Sequence, residues 1–236
     1  MLQLETIFKN LFEGPRISDD NLKEFTEDHT QRLIANNNAG AFNPILSATQ
    51  TCYTNYFGNI SNEDTHSAVR KSLTLSADNL METFKDTVSQ KEGIIKGQYG
   101  VSSPTYLEFF PQGISEYRNA IKANIETLMN RMMNAATAHQ TDLGNAFVQL
   151  FTDLHNNYVL ARTSQLNKKG EVSTDKTNTK AARTALEIQL TKNIHFIGYL
   201  FPGNANHAMS FFDQNIIQHN HHHSGPPSAT TNTNTN

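Results

Sequence analysis

The chain of 236 residues is 37% hydrophobic and 17% charged, with one cysteine, no tryptophan and a formal net charge of -3. That length suits one large domain or two small ones, and the lone Cys52 excludes a disulfide framework within the chain. With 19 basic residues against 22 acidic ones, no global positive field draws the chain to nucleic acid. Asn, Thr, Ser and Gln stand where charges are usual, because a globular chain carries about 25% charged residues. Such a polar, weakly charged surface is easily desolvated at contacts between copies.

In chain order, Leu4, Ile7, Phe8 and Leu11 recur at helical spacing up to Gly14-Pro15, which predicts a short amphipathic helix. The acid Glu5 stands where a secretory signal needs a basic start and an unbroken apolar run, so no such signal is expected. Ser18 before Asp19-Asp20 predicts a capped helix whose face carries Leu22, Phe25, His29 and Leu33 and which weakens at Asn36 to Gly40. Pro44 suits the first turn of the next helix, with Ile45, Thr49, Cys52, Tyr53 and Tyr56 in a stripe that Gly58 ends. Ser61 with Asp64 resembles a capping box. It opens a long helix through Val69, Leu73, Ala77, Leu80, Phe84 and Val88, stopping near Gly93 before a glycine-rich loop to Ser103.

Pro104 opens a short segment with Tyr106, Leu107, Phe109 and Phe110, closed by Pro111-Gln112-Gly113. From Tyr117 to Ala161 the apolar pattern hardly slips. It fits either one helix of about 50 residues, roughly 75 Å at 1.5 Å rise per residue, or a hairpin turning near Gln140 to Gly144. Lys168-Lys169-Gly170 and the Thr-rich stretch to Thr179 read as a turn. Ala182, Leu186, Leu190, Ile194 and Ile197 mark the last long helix, stopping at Phe201-Pro202-Gly203-Asn204, and a final short helix holds Met209, Phe212 and Ile216. The most apolar stretch, residues 194–201, is far short of the roughly 20 that span a bilayer. No membrane span is expected; the protein reads as soluble and cytoplasmic by default, with a viral particle or a signal-independent surface location left open.

Strand alternation is nowhere sustained, so the expected fold is all-α, an elongated antiparallel bundle with long helices. Ala41-Phe42 with Tyr53 recurs as Ala146-Phe147 with Tyr158, an offset suggesting two duplicated three-helix halves. Short Phe-rich elements stand before, between and after them: Leu11-Phe12, Phe109-Phe110 and Phe211-Phe212. The expected division is an N-terminal half over 1–103, a C-terminal half over 104–218 and a disordered His-, Asn- and Thr-rich tail over 219–236.

Catalytic motifs are scarce. Glu63-Asp64-Thr65-His66 is a single Glu-x-x-His where a two-metal bundle needs two, and helix-cap chemistry accounts for it. There is no His-Glu-x-x-His, no paired Cys-x-x-Cys, no Gly-x-Ser-x-Gly and no phosphate-cradling loop. Cys52 reads as an inert buried thiol and the Met129, Met132 and Met133 stripe as core filler. His139 and His195 read as satisfied core histidines. The basic cluster from Arg162 to Arg183 lacks aromatics for stacking bases, so no nucleic-acid partner is expected.

His219, His221, His222 and His223 form the one candidate metal-binding group, as any His-rich tail does. Phe8, Phe12, Phe109, Phe110, Phe211 and Phe212 are the candidate interaction residues, since short amphipathic pieces can dock on a neighbouring copy. The expected function is therefore non-enzymatic and cofactor-free: a helical structural or interaction protein that self-associates or meets a protein partner. The alternative is a small-ligand or metal-binding bundle in which His139, His155 or the tail supplies ligands.

Overall fold

A computed structural model of the chain describes residues 8–13 and 17–218, so the tail and its candidate ligands His219, His221, His222 and His223 lie outside the described residues. The described part is all-α, with no strand. Helix α1 spans Asp19–Ala35, α2 Asn43–Tyr99, α3 Pro104–Phe109, α4 Ser115–Arg118, α5 Ile125–Ala138, α6 Gln140–Leu143, α7 Asn145–Leu200, α8 Ala205–Met209 and α9 Gln214–Gln218. Among these residues no helix is long and apolar enough to cross a membrane.

The caps form where the sequence places them. The Ser18 hydroxyl accepts the Asn21 backbone N–H at 3.1 Å, and Asp19 and Asp20 fill the first turn of α1. Ser103 does the same for Tyr106 at 3.0 Å, with Pro104 opening α3. Both satisfy donors that a helix start leaves without intrahelical partners.

The long helices are longer than their sequence punctuation predicts. Helix α2 runs 57 residues through Gly58, through the Ser61 to Asp64 capping motif and through Gly93; α7 runs 56 residues through Lys168-Lys169-Gly170 and the Thr-rich stretch. A helical glycine costs about 1 kcal/mol relative to alanine, which propagation and packing of a formed helix outweigh. The hairpin alternative holds between α5 and α7, where Gly144 adopts φ +82° and breaks the periodicity. Most of the predicted first helix lies outside the described residues; of its C-terminal part, Phe8 is 3-10 helical and residues 9–13 form bends and turns.

The chain divides into two compact units. Unit 1 joins Met1–Ile60 to Asn178–Asn236, and unit 2 is Ser61–Thr177. The expected boundary at 103/104 falls inside unit 2. In unit 1, α2 and α7 run antiparallel, with Thr49 facing Asn193 and Tyr56 facing Arg183. Their core gathers Phe12, Phe25, Phe42, Tyr56, Leu190, Ile197 and Phe211, with α9 packed on α1. In unit 2 the two helices are again antiparallel, through His66 with Asp175, Thr74 with Gln165, and Phe84 with Phe151. The core there holds Phe84, Phe109, Phe110, Tyr117, Met129, Met132, Phe147, Phe151 and Tyr158, and α3 packs on α5.

Some local features occur in both units, without establishing the expected duplication. A short helix is followed by a glycine at positive φ, Gly40 at +78° in unit 1 and Gly144 at +82° in unit 2. A long helix then starts beside a buried phenylalanine, Phe42 or Phe147, and each unit also buries an adjacent aromatic pair, Phe211-Phe212 or Phe109-Phe110.

Candidate functional site

Five of the six predicted interaction phenylalanines are buried within their own unit. Phe12 packs on Phe25 at a ring-centroid distance of 5.3 Å, Phe211 on Phe42 at 5.4 Å, Phe212 on His29 at 4.6 Å, Phe110 on Tyr117 at 5.6 Å and Phe109 on His139 at 5.9 Å. Elements this short have no interior of their own, and a large aromatic gains most by leaving water, so each docks against the rings of its own unit. Their expected exposure is corrected accordingly. Phe8 alone is exposed, at 80%.

The histidines separate in the same way. His195 is exposed, not core, because the buried stripe of α7 passes through Leu190 and Ile197 and leaves His195 off it. His139 is half-buried at the end of α5, with Nε2 2.7 Å from Glu108 Oε2. His155 is half-buried on α7; Nδ1 lies 3.2 Å from Asn156 Oδ1, and Nε2 is enclosed without a hydrogen-bond partner among the described residues. The nearby Asp153 carboxylate accepts from Gln149 Nε2 at 2.7 Å. Cys52 is half-buried against the unit 1 core. Among the described residues no group of three or more His, Cys, Asp or Glu side chains could hold a metal ion.

Two polar networks in unit 1 fasten residues 10–19 and 210–213 to the helices. In the first, the Arg183 guanidinium donates to the Ile17 carbonyl at 2.7 Å, to Glu187 Oε1 at 2.8 Å and to Asp19 Oδ1, while Tyr56 donates to the same Asp19 oxygen at 2.5 Å. Asn10 donates to the other Glu187 oxygen at 3.2 Å, tying residues 8–13 to α7. Burial and the Asp19 carboxylate push the Tyr56 phenol up to about 12, so it stays a donor.

The second network centres on His29, which is fully buried. Its Nδ1 meets the Phe211 carbonyl at 2.9 Å, which requires a proton there, and Nε2 accepts from Asn193 Nδ2 at 3.1 Å. Asn193 also donates to Thr49 at 2.7 Å. One turn on, Arg32 donates to the Ser210 carbonyl at 3.0 Å and faces Asp213 at 3.7 Å. The segment before α9 is thereby strapped to α1.

Burial holds the His29 pKa below 6.5, opposed in part by the Phe211 carbonyl and Asp28 and assisted by Arg32. A second ring proton would point at the Asn193 amide donor. The unfolded chain takes that proton first as pH falls below 6.5, so the stability contribution is intact above 6.5 and is lost as pH falls toward the depressed folded value. Thermal midpoints of the wild type and His29→Gln, compared at neutral and mildly acidic pH, check this. The wild type should lose more on acidification, and equal losses would remove His29 as the cause.

The candidate site itself lies in unit 2. Between Ser61 and Ala77 on α2 and between Tyr158 and Thr177 on α7, Val172 is the one buried residue among those described. The two helices meet here through polar contacts, His66 Nδ1 to Asp175 Oδ2 at 2.7 Å and Gln165 Nε2 to Thr74 Oγ1 at 2.7 Å. Apolar side chains face outward instead: Leu160 is 68% exposed and Leu75 62%, with Leu166 and Val69 exposed beyond them. A groove between the helices is lined by Leu73, Leu75, Leu80, Leu160 and Ala161 and by the uncharged Ser72, Ser76, Asn79, Thr83, Asn157 and Ser164. No charged side chain lines it.

Sequence reasoning missed this face because attention to a single core stripe hides a second one. The available signal was Leu75, an apolar residue off the stripe of Leu73, Ala77, Leu80, Phe84 and Val88. Compared with protein-family models, with curated proteins and with solved structures, the chain matches none.

Proposed function

We propose that the chain is a non-enzymatic helical interaction protein that associates with a second copy of itself through the uncharged α2–α7 face of unit 2. The observation carrying this reading is an exposed leucine-lined groove on a stretch where two antiparallel helices bury almost nothing between them. Helix pairs with apolar residues on an open side gain most by pairing with another two helices, the arrangement of a four-helix bundle. A two-fold contact places the same surface patch on both sides of the interface. The groove suits that, since its Ser, Thr, Asn and Leu lining brings no like charges together on self-apposition. Low charge across the whole chain acts in the same direction.

The test is absolute mass by light scattering after size exclusion. Wild type is expected at a multiple of 26.4 kDa, and the double variant Leu75→Glu/Leu160→Glu at the monomer mass. Both side chains are exposed, so each substitution should change monomer stability by no more than about 0.5 kcal/mol. A wild type that stays monomeric across the accessible concentration range overturns the reading, as does a double variant whose mass matches wild type.

A further inference from the structure

We infer that unit 1 contains a binding site for a neutral, apolar small molecule, in the cavity between α7 and the segment carrying α8 and α9. The cavity has a volume of about 340 Å³. That falls within the roughly 300–1,000 Å³ of small-molecule pockets, which are mostly apolar with a few placed polar groups. Its walls include Phe25 from α1, Ile194 and Ile197 from α7, and Phe212 from the strap, and the one polar side chain among its lining residues is Gln214.

Size separates this cavity from a packing defect, because well-packed interiors hold few voids larger than a water molecule. Gly198 lies in its wall on a helical stretch of α7, and a Cβ built there meets nothing within 4 Å, so a larger side chain has room to enter. The strap that covers the cavity is held to α1 by the Phe211 carbonyl on His29 and the Ser210 carbonyl on Arg32.

The lining sets the ligand class. Among the described residues no Lys, Arg or His lines the cavity, so a carboxylate or phosphate would meet no counter-charge from them and would lose its hydration. Gln214 offers one amide that can both donate and accept, suited to a single uncharged polar atom on an otherwise hydrocarbon body. The inference thus points to a neutral apolar compound and away from a fatty acid or a nucleotide.

The experiment uses the full chain and N-phenyl-1-naphthylamine, a neutral apolar fluorophore, as the probe. Wild type should bind it saturably at one molecule per chain. Gly198→Leu should weaken binding by roughly tenfold or more by occupying the space, about 1.4 kcal/mol, with a thermal midpoint at or above that of wild type. Ala205→Phe, at an exposed wall position, should also weaken binding and provides a second variant if the first is poorly folded. Absence of saturable binding to wild type overturns the inference, and so does binding that neither substitution changes. Binding that appears only after removal of residues 1–7 would overturn it too, by making that segment the occupant.

Discussion

Phe84→Ala should destabilise unit 2 by about 3–5 kcal/mol, the range for removing a buried phenylalanine from a packed core. Phe84 is fully buried, with Tyr117 at a ring-centroid distance of 6.0 Å and Phe151 edge-on at 6.1 Å. It therefore joins three separate stretches of unit 2: α2, α4 and α7. Truncation removes apolar burial and both aromatic contacts. It also leaves a void that Tyr117 is poorly placed to fill, because its hydroxyl is held by the Phe109 carbonyl at 2.8 Å. For a chain of this length the loss corresponds to a thermal midpoint lower by roughly 10 °C. Urea unfolding of wild type and variant checks it, and a difference under about 1 kcal/mol would show that the cluster repacks freely.

Arg183→Met should cost about 3 kcal/mol in unit 1, for an electrostatic reason instead of a packing one. The side chain removed serves Glu187, which is only 5% exposed, together with Asp19 and the Ile17 carbonyl. Burial tends to lower the Arg183 pKa, and the Glu187 and Tyr56 hydrogen bonds and the Asp19 charge more than offset it, so the guanidinium stays charged. Methionine matches the stem of arginine and leaves the Glu187 charge with the Asn10 amide in place of a cation. The cost is thus the stranded carboxylate more than the lost bond. Glu187→Gln in the Arg183→Met background should recover part of the loss while retaining an acceptor for Asn10. A double-mutant cycle by chemical denaturation reads this directly, and additive losses would refute the account.

The contrast between those two residues marks how far the sequence is readable. Phe84 lies on a stripe visible as Leu73, Ala77, Leu80, Phe84 and Val88, because helical period and burial are both local properties of the chain. The caps at Ser18 and Ser103 are local in the same sense. Arg183 is different. Its partners Asp19, Tyr56 and the Ile17 carbonyl are distant in sequence, and no spacing rule announces them.

Glycines misled for a related reason. Gly58, Gly93 and Gly170 lie within continuous helix, whereas Gly144 ends one at φ +82°. The residue type permits both conformations, and only the packing of neighbouring helices selects between them. The groove beside Leu75 and Leu160 was hidden because an exposed leucine and a buried one look alike in a sequence. What distinguishes them is whether another element covers the position.

The division of the chain also sets an order of events during synthesis. Unit 2 is one uninterrupted segment, Ser61–Thr177, whereas unit 1 needs its first stretch, Met1–Ile60, to meet residues that begin at Asn178. A ribosome at about 5–20 residues per second delivers every part of unit 2 before the partner helices of unit 1 exist. For several seconds the faces of Phe25, Phe42 and Tyr56 must wait, uncovered, for Leu190, Ile197 and Phe211 to emerge. Moving the chain ends by circular permutation into the α5–α7 turn would reverse which unit waits. The nascent chain's exposure to chaperones should then shift from the apolar surface of α1 to that of Phe147, Phe151 and Tyr158 on α7.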